Sequence, residues 1–301
     1  MISQQPLIVI LGPTASGKSS LAIKLAKKFS GEIIAADSRT IYQFLDIGTA
    51  KPTKQEQEIV PHYLLDIIKP DQEFSVAKFQ ILARQKIAEI SQRGKLPFLV
   101  GGTGLYLEAV CQGFKIPRPK PDLKLRIKLA KKSLPELLTE LKKTDPASFK
   151  KIDHHNKRRI IRALEVYLSS GKRLSDLQAR SQPNLKILKI GLAIPRPKLY
   201  RRINQRVNQM IKDGLAWEVK KLYRLGYDYN LPALSGLAYR QIGEYVRGKM
   251  TLRQAIEETK QKTRNYAKRQ ITWFSRDKNI NWVTNQKQAE KLINKFLKNN
   301  K

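Results

Sequence analysis

The chain is short of the residues that build covalent and metal frameworks. Its single cysteine, Cys111, excludes an internal disulfide and a cysteine-based zinc site, and fits a reducing compartment. Three histidines, His62, His154 and His155, are too few and too badly spaced for a metal cage. Long apolar runs are missing too. The run Pro6–Leu11 is shorter than a signal h-region or a membrane span, and nothing longer follows. A soluble cytoplasmic protein with no membrane partner is expected. Acidic residues are the remaining scarcity: 25 Asp and Glu face 59 Lys and Arg among 301 residues, a formal charge of +34.

That excess is uneven. Residues 1–114 carry 13 basic and 10 acidic groups, whereas 115–199 have a net charge of +16 and 200–301 of +15. A nearly neutral first third followed by two basic thirds suggests a small-molecule site joined to a polyanion-binding surface. Plain surface solvation is the alternative. Self-repulsion on this scale, however, destabilises a compact chain unless a partner offsets it.

The continuous apolar run Leu7–Leu11 fits a strand buried on both faces of a parallel sheet. A Gly-rich turn and a helix follow. Glu32–Ala36, Tyr63–Ile68 and Pro97–Val100 read as further strands, with a helix over Ser75–Arg93. After Gly113 the pattern changes. Residues 115–121 form a Pro-rich basic connector, helices run to about Arg180, and Leu185–Ile194 returns to the sheet. Helices are then expected over 198–212, 214–225, 235–247 and 251–276, with Thr251 and Gln254 as a capping box, and the tail after Gln286 is expected to fray. The fold class is therefore α/β: a parallel-sheet core (1–114), a helical insertion (115–183), and a last part (184–301) that completes the core and adds C-terminal helices.

Gly12-Pro13-Thr14-Ala15-Ser16-Gly17-Lys18-Ser19 matches the phosphate-loop pattern G-x-x-x-x-G-K-[ST], after a strand and opening a helix. Its glycines let backbone N–H groups wrap a phosphate, Lys18 adds charge, and the Ser19 hydroxyl suits Mg²⁺. Asp37, after the second strand, belongs at the carboxyl edge of the sheet beside this loop, where open α/β proteins bind ligands. Helix capping and contact with Mg²⁺ through a bound water are equally open to it from position alone. Gly101-Gly102-Thr103-Gly104 repeats the arrangement after another strand, with a tight turn capped by Thr103 as its plain reading. No N-K-x-D tetrapeptide for guanine and no strand-end Asp-Glu pair for ATP hydrolysis are found. A phosphate loop without them fits transfer of a group away from a bound diphosphate.

These motifs, together with Asp46–Pro52, Pro61-His62, Leu65–Ile67, Arg159–Val166, Tyr239-Arg240 and Lys268–Phe274, resemble the tRNA dimethylallyltransferases in order and over nearly the whole chain. The resemblance implies transfer of a dimethylallyl group from dimethylallyl diphosphate to N6 of adenosine 37, with a tRNA anticodon stem-loop as partner; a monomer is expected. It implies that Gly12–Ser19 grip the diphosphate and that Asp37 takes the N6 proton. Thr103 would contact the adenosine, with Arg202 and Arg206 near the diphosphate channel. Asp37, Ser38, Arg39, Thr40, Thr103, Arg158, Arg159, Arg162, Tyr239, Arg240, Lys268 and Arg269 would meet tRNA. Thr40 stands where many relatives have Gln, Lys78 where they often have an acid, and Ala238 where Gly is common. Trp273 and Phe274 read better as core anchors than as stacking platforms.

The chemistry is coherent. The N6 lone pair is delocalised, so it needs a general base, and the leaving diphosphate needs positive charge. A base in a stacked loop must be extruded to reach a buried carboxylate, which favours an already unpaired loop. Two other readings compete: a phosphate-loop transferase acting on free adenylate or as a nucleoside kinase, and a non-catalytic RNA-binding protein. The first leaves the basic insertion and the Lys268–Phe274 block unexplained, and the intact Lys18, Ser19 and Asp37 argue against the second.

Overall fold

The structure is a computed structural model that describes residues 4–113, 122–177 and 184–299. The connector over 115–121 and the end of the insertion near Arg180 lie outside the described residues. Two compact units are present: Met1–Leu107 with Asn184–Lys301, and Glu108–Pro183.

The first unit begins with β1 (Gln5–Leu11), α1 (Lys18–Lys28), β2 (Gly31–Ala36), α2 (Lys54–Ile59), β3 (His62–Tyr63), α3 (Val76–Gln92) and β4 (Leu96–Gly101). It runs into the start of α4 (Gly104–Cys111), along which the chain passes to the second unit. That unit contains α5 (Leu123–Lys131), α6 (Leu134–Thr144), α7 (Pro146–Lys151), α8 (Lys157–Ser170) and α9 (Leu174–Leu177). The chain then returns to the first unit as β5 (Leu185–Leu192), α10 (Arg196–Lys212), α11 (Leu215–Arg224) and a 3₁₀ turn, Pro232–Ser235. It ends with α12 (Tyr239–Val246), α13 (Leu252–Phe274), β6 (Ile280–Val283) and α14 (Gln286–Lys298).

The six strands form one parallel sheet in the order β3-β2-β4-β1-β5-β6. Every residue of β2 and β4 is buried, the burial that a continuous apolar strand needs on both faces. On one side, Ile8, Ile10, Leu25, Ile33 and Phe98 pack with Ala289 and Ile293 of α14. A second core joins Ile41, Tyr42 and Leu45 to Leu215, Val219, Tyr239 and Ile242. A third seats Leu199, Ile203 and Ala267 against Ala15 of the phosphate loop, so α10 and α13 are anchored directly at that loop.

Three expectations are corrected. The strand over Tyr63–Ile68 stops after two residues because Leu64 and Asp66 take φ of 62° and 55°, left-handed conformations that break a ladder. The helix over 235–247 starts only at Tyr239, where Ala238 at φ 71° interrupts the chain. The tail after Gln286 does not fray. Asn285 caps α14, whose Ala289 and Ile293 are fully buried. The capping box of Thr251 and Gln254 is present as read.

In the second unit, Leu137, Leu141, Ile160 and Leu164 make a small core. Glu165 is buried beside it and accepts from Arg126 Nε at 2.8 Å, Arg162 Nη1 at 2.7 Å and the Asp122 N–H at 2.8 Å. Burial pushes its carboxyl up, but these donors together hold it below the usual range. Among the described residues no helix is long and apolar enough to cross a membrane.

Candidate active site

Three loops converge at one edge of the sheet because β2, β4 and β1 are adjacent and in register, with Ala36 beside Gly101 and Gly101 beside Leu11. The loop after β1 is the phosphate loop. Ala15 and Gly17 take φ of 61° and 97° to wrap it, and the Ser16 N–H closes a turn on the Pro13 carbonyl at 3.2 Å. Arg202 Nη1 donates to the Ser16 carbonyl at 2.9 Å, which fixes the loop from α10. Ser19 is exposed on the first turn of α1. Burial lowers the Lys18 ammonium to about 8, Arg206 adds to that, and Asp37 opposes it.

The loop after β2 carries Asp37, whose Oδ1 accepts the Arg39 N–H at 2.8 Å. The loop after β4 carries Thr103. Its N–H reaches the Ala36 carbonyl at 3.4 Å, and its Oγ1 accepts the Ser38 N–H at 3.2 Å. Thr103 thus ties two loops together through its side chain, while its carbonyl accepts the Leu107 N–H at 3.2 Å at the start of α4.

Two cavities open here, of about 100 Å³ and about 340 Å³, and both are lined by Thr14, Asp37, Thr49, Arg206 and Tyr266. These five residues form a waist between a lobe behind the phosphate loop and a wider lobe toward α10 and α12. Burial lowers the Arg206 guanidinium while Asp37 raises it. Burial also pushes the Tyr266 hydroxyl up to about 12, Asp37 adds to this, and a hydrogen bond with Thr103 opposes it. Lys18 and Arg206 against a single Asp37 leave positive charge in the small lobe, which suits an anion. Among the described residues, no group of three or more His, Cys, Asp or Glu gathers to hold a metal. The oxygen donors at this lobe include Ser19 and Asp37, a hard set that suits Mg²⁺ shared with a diphosphate.

The wall of the small lobe includes Thr40, Thr49, Ala50 and Pro52, from irregular chain between β2 and α2. Two buried charges of opposite sign hold that segment. Glu218 of α11 accepts the N–H groups of Asp46, Ile47 and Gly48 at 3.1, 2.9 and 3.3 Å. Lys51, with its side chain 4% exposed, donates to the Tyr42 carbonyl at 2.9 Å, to Asp46 at 2.6 Å and to Asp66.

The residues expected to meet tRNA divide by their surroundings. Arg158, Arg159, Arg240, Lys268 and Arg269 are exposed. Thr40 is buried. Tyr239 is 2% exposed, its hydroxyl donates to Glu218 at 2.6 Å, and it forms part of the wall of the wide cavity. Arg39 directs its guanidinium at the carbonyls of Pro232 and Ala233 and bonds Ser235, bracing the 3₁₀ turn. Arg162 is committed to Glu165. Phe274 is a core anchor, as read.

Sequence reasoning assigned no role to Tyr266, Gln270, Glu218 or Lys51. A signal existed on α13, where Thr259, Thr263, Tyr266 and Gln270 recur at helical spacing and line the two cavities along one face.

The family model described as IPP transferase matches residues 40–277, and that described as isopentenyl transferase matches residues 5–72. A tRNA dimethylallyltransferase of Roseiflexus sp. (strain RS-1) is 48% identical over 279 residues, covering 91% of this chain and 92% of the relative. That of Acetivibrio thermocellus is 46% identical over 296 residues, covering 95% of each. The crystal structure of the full-length tRNA isopentenylpyrophosphate transferase of Bacillus halodurans superposes with a TM-score of 0.75 at 39% identity, covering 98% of both chains. A eukaryotic dimethylallyltransferase acting on tRNA gives a TM-score of 0.84 at 29% identity, covering 98% of this chain and 80% of that one. With the phosphate loop, Asp37 and Thr103 on one sheet edge and such likeness along its length, the chain belongs to the tRNA dimethylallyltransferase family.

Proposed function

We propose that the protein transfers a dimethylallyl group from dimethylallyl diphosphate to N6 of adenosine 37 in tRNA. The observation that carries this reading is the waist. Asp37 lines both lobes, Arg206 lines both with it and Lys18 lines the small one, and the carboxylate is coupled electrostatically to both cations, so a base and two cations share one cavity.

In this reading the diphosphate occupies the small lobe, held by phosphate-loop N–H groups, Lys18 and Arg206. The extruded adenine enters by the wide lobe, where Asp37 meets its amine, and Thr103, bonded to the Ser38 N–H, holds the Asp37 loop in place. The N6–C1 bond forms as the C1–O bond breaks. The electron pair leaves with the diphosphate, where Lys18 and Arg206 offset its charge, and Asp37 takes the N6 proton. Mg²⁺ would be held by Ser19 and the diphosphate oxygens, where it supplies further charge neutralisation when bound. The exposed Lys268 and Arg269, with the basic insertion bearing Arg158 and Arg159, would hold the anticodon stem-loop. The protein would act as a cytoplasmic monomer.

The test is incubation with labelled dimethylallyl diphosphate and either unmodified tRNA or AMP. Label in tRNA is expected. Label in AMP alone transfers the assignment to a free-nucleotide enzyme, and strict dependence on ATP makes it a kinase.

A further inference from the structure

We propose that Gln270 is a positioning residue, an amide clamp that sets the spacing between the phosphate loop and the Thr103 loop. This rests on the reaction proposed above. Gln270 lies on α13, is 5% exposed, and ends where loops from two different strands meet. Its Oε1 accepts the Thr14 N–H at 2.8 Å, and its Nε2 donates to the carbonyl of Gly102, the residue before Thr103, at 2.8 Å.

The pairing demands an amide. One loop offers a donor and the other an acceptor, and a side-chain amide presents both partners on one planar group, which a carboxylate does not. Gly102 completes the fit, because a Cβ there would collide with Gln270 Nε2. One turn further along α13, Trp273 packs where a Cβ of Gly104 would stand. The helix therefore grips the chain on both sides of Thr103.

Two consequences separate positioning from simple scaffolding. Gln270 lines the small lobe, but its Oε1 and Nε2 are bonded to the two loops, so losing the side chain removes no bond to the anion and frees the Thr14 N–H. Losing the clamp instead lets the loop that holds the leaving group drift from the loop that holds the acceptor. A misplacement of about 1 Å between reacting groups costs on the order of 10²-fold in rate.

The experiment compares Gln270→Met and Gln270→Glu in the full chain. The first keeps the length and loses both bonds, while the second keeps an acceptor for Thr14 and loses the donor to Gly102. Single-turnover transfer to tRNA should fall by about 10- to 100-fold in both variants. The Kd for pyrophosphate in Gln270→Met should stay within about twofold of the parent, since no phosphate ligand is lost. In a Thr103→Val background, the loss from Gln270→Met should shrink to under about threefold, because coupled residues are not additive. Parent-like rates, pyrophosphate affinity falling in step with rate, or losses that multiply fully would each overturn the proposal. Should Gln270→Met fail to fold, the near-isosteric Gln270→Glu and its cycle with Thr103→Val carry the same test. A parent that does not prenylate tRNA refutes the reaction itself, whereas an active parent with equally active variants refutes only the clamp.

Discussion

Raising the pH from 7 to 9 should weaken pyrophosphate binding through one side chain. Lys18 is lowered from 10.5 to about 8, by burial first and Arg206 second, with Asp37 opposing. A group with that value is about nine-tenths charged at pH 7 and about one-tenth charged at pH 9. If only the ammonium form holds the anion, the association constant falls by about tenfold across that range and is nearly flat below pH 7. Binding at pH 9 must then draw in close to one proton, because the bound diphosphate restores the charge. Titration calorimetry in two buffers of different ionisation enthalpy reads both quantities, and the Lys18→Met variant supplies the baseline for titration of pyrophosphate itself. The same shift has a stability sign. Between about pH 8 and 10.5 the unfolded chain binds more protons at this residue than the folded one, so the Lys18 contribution to stability rises with pH there. Identical pH slopes and proton uptake in the parent and Lys18→Met would refute the assignment of Lys18 to the anion.

Asp37→Asn should lower single-turnover transfer by about 10²- to 10⁴-fold with tRNA affinity nearly unchanged, and retention of more than about a tenth of the rate would remove Asp37 as the base. Replacing both Arg158 and Arg159 with Ala should flatten the slope of log K against log[salt] for a stem-loop by about one to two units, without changing the KM for the prenyl donor. Arg162 is left intact in that variant, since its removal would strip a partner from buried Glu165 and confound the reading. Glu218→Ala orphans three loop N–H groups and the Tyr239 hydroxyl, so a cost of about 3 kcal/mol or more is expected, seen as a fall of roughly 6–12 °C in Tm. A shift of a degree or two would show that water takes over those bonds.

What was legible in the sequence was what depends on neighbours along the chain. The apolar run of β1, the glycines and lysine of the phosphate loop, and the box of Thr251 and Gln254 each announce themselves within a few residues. Hidden were the features decided by distant partners. Nothing local in Tyr63–Ile68 tells that Leu64 and Asp66 turn left-handed to meet the segment 40–51, where Asp66 N–H bonds the Thr40 carbonyl at 3.1 Å. α14 looked like a frayed tail because lysines crowd it, yet Ala289 and Ile293 stand four residues apart on a face that closes the sheet. Charge counting placed Arg162 with its exposed neighbours, since a net charge does not distinguish a solvated guanidinium from one held by a buried Glu165. Gln270 shares the helical spacing of the α13 face, but its clamping role had no local sign, because its partners are 256 and 168 residues away.

The opposite charges that grip the segment between β2 and α2 have a consequence for how this enzyme can vary. Glu218 and Lys51 hold that stretch through its backbone amides, one carbonyl and the Asp46 carboxylate, with Asp66 joining from beyond β3, and make no use of the side chains of Thr40 or Ala50, whereas the Thr49 hydroxyl itself bonds the Leu45 carbonyl at 2.6 Å. Apart from Thr49, the path of the wall is therefore set independently of the side chains it shows to the small lobe. Evolution or a protein engineer could recontour that surface, for a bulkier or more polar donor, while the frame behind it keeps its course.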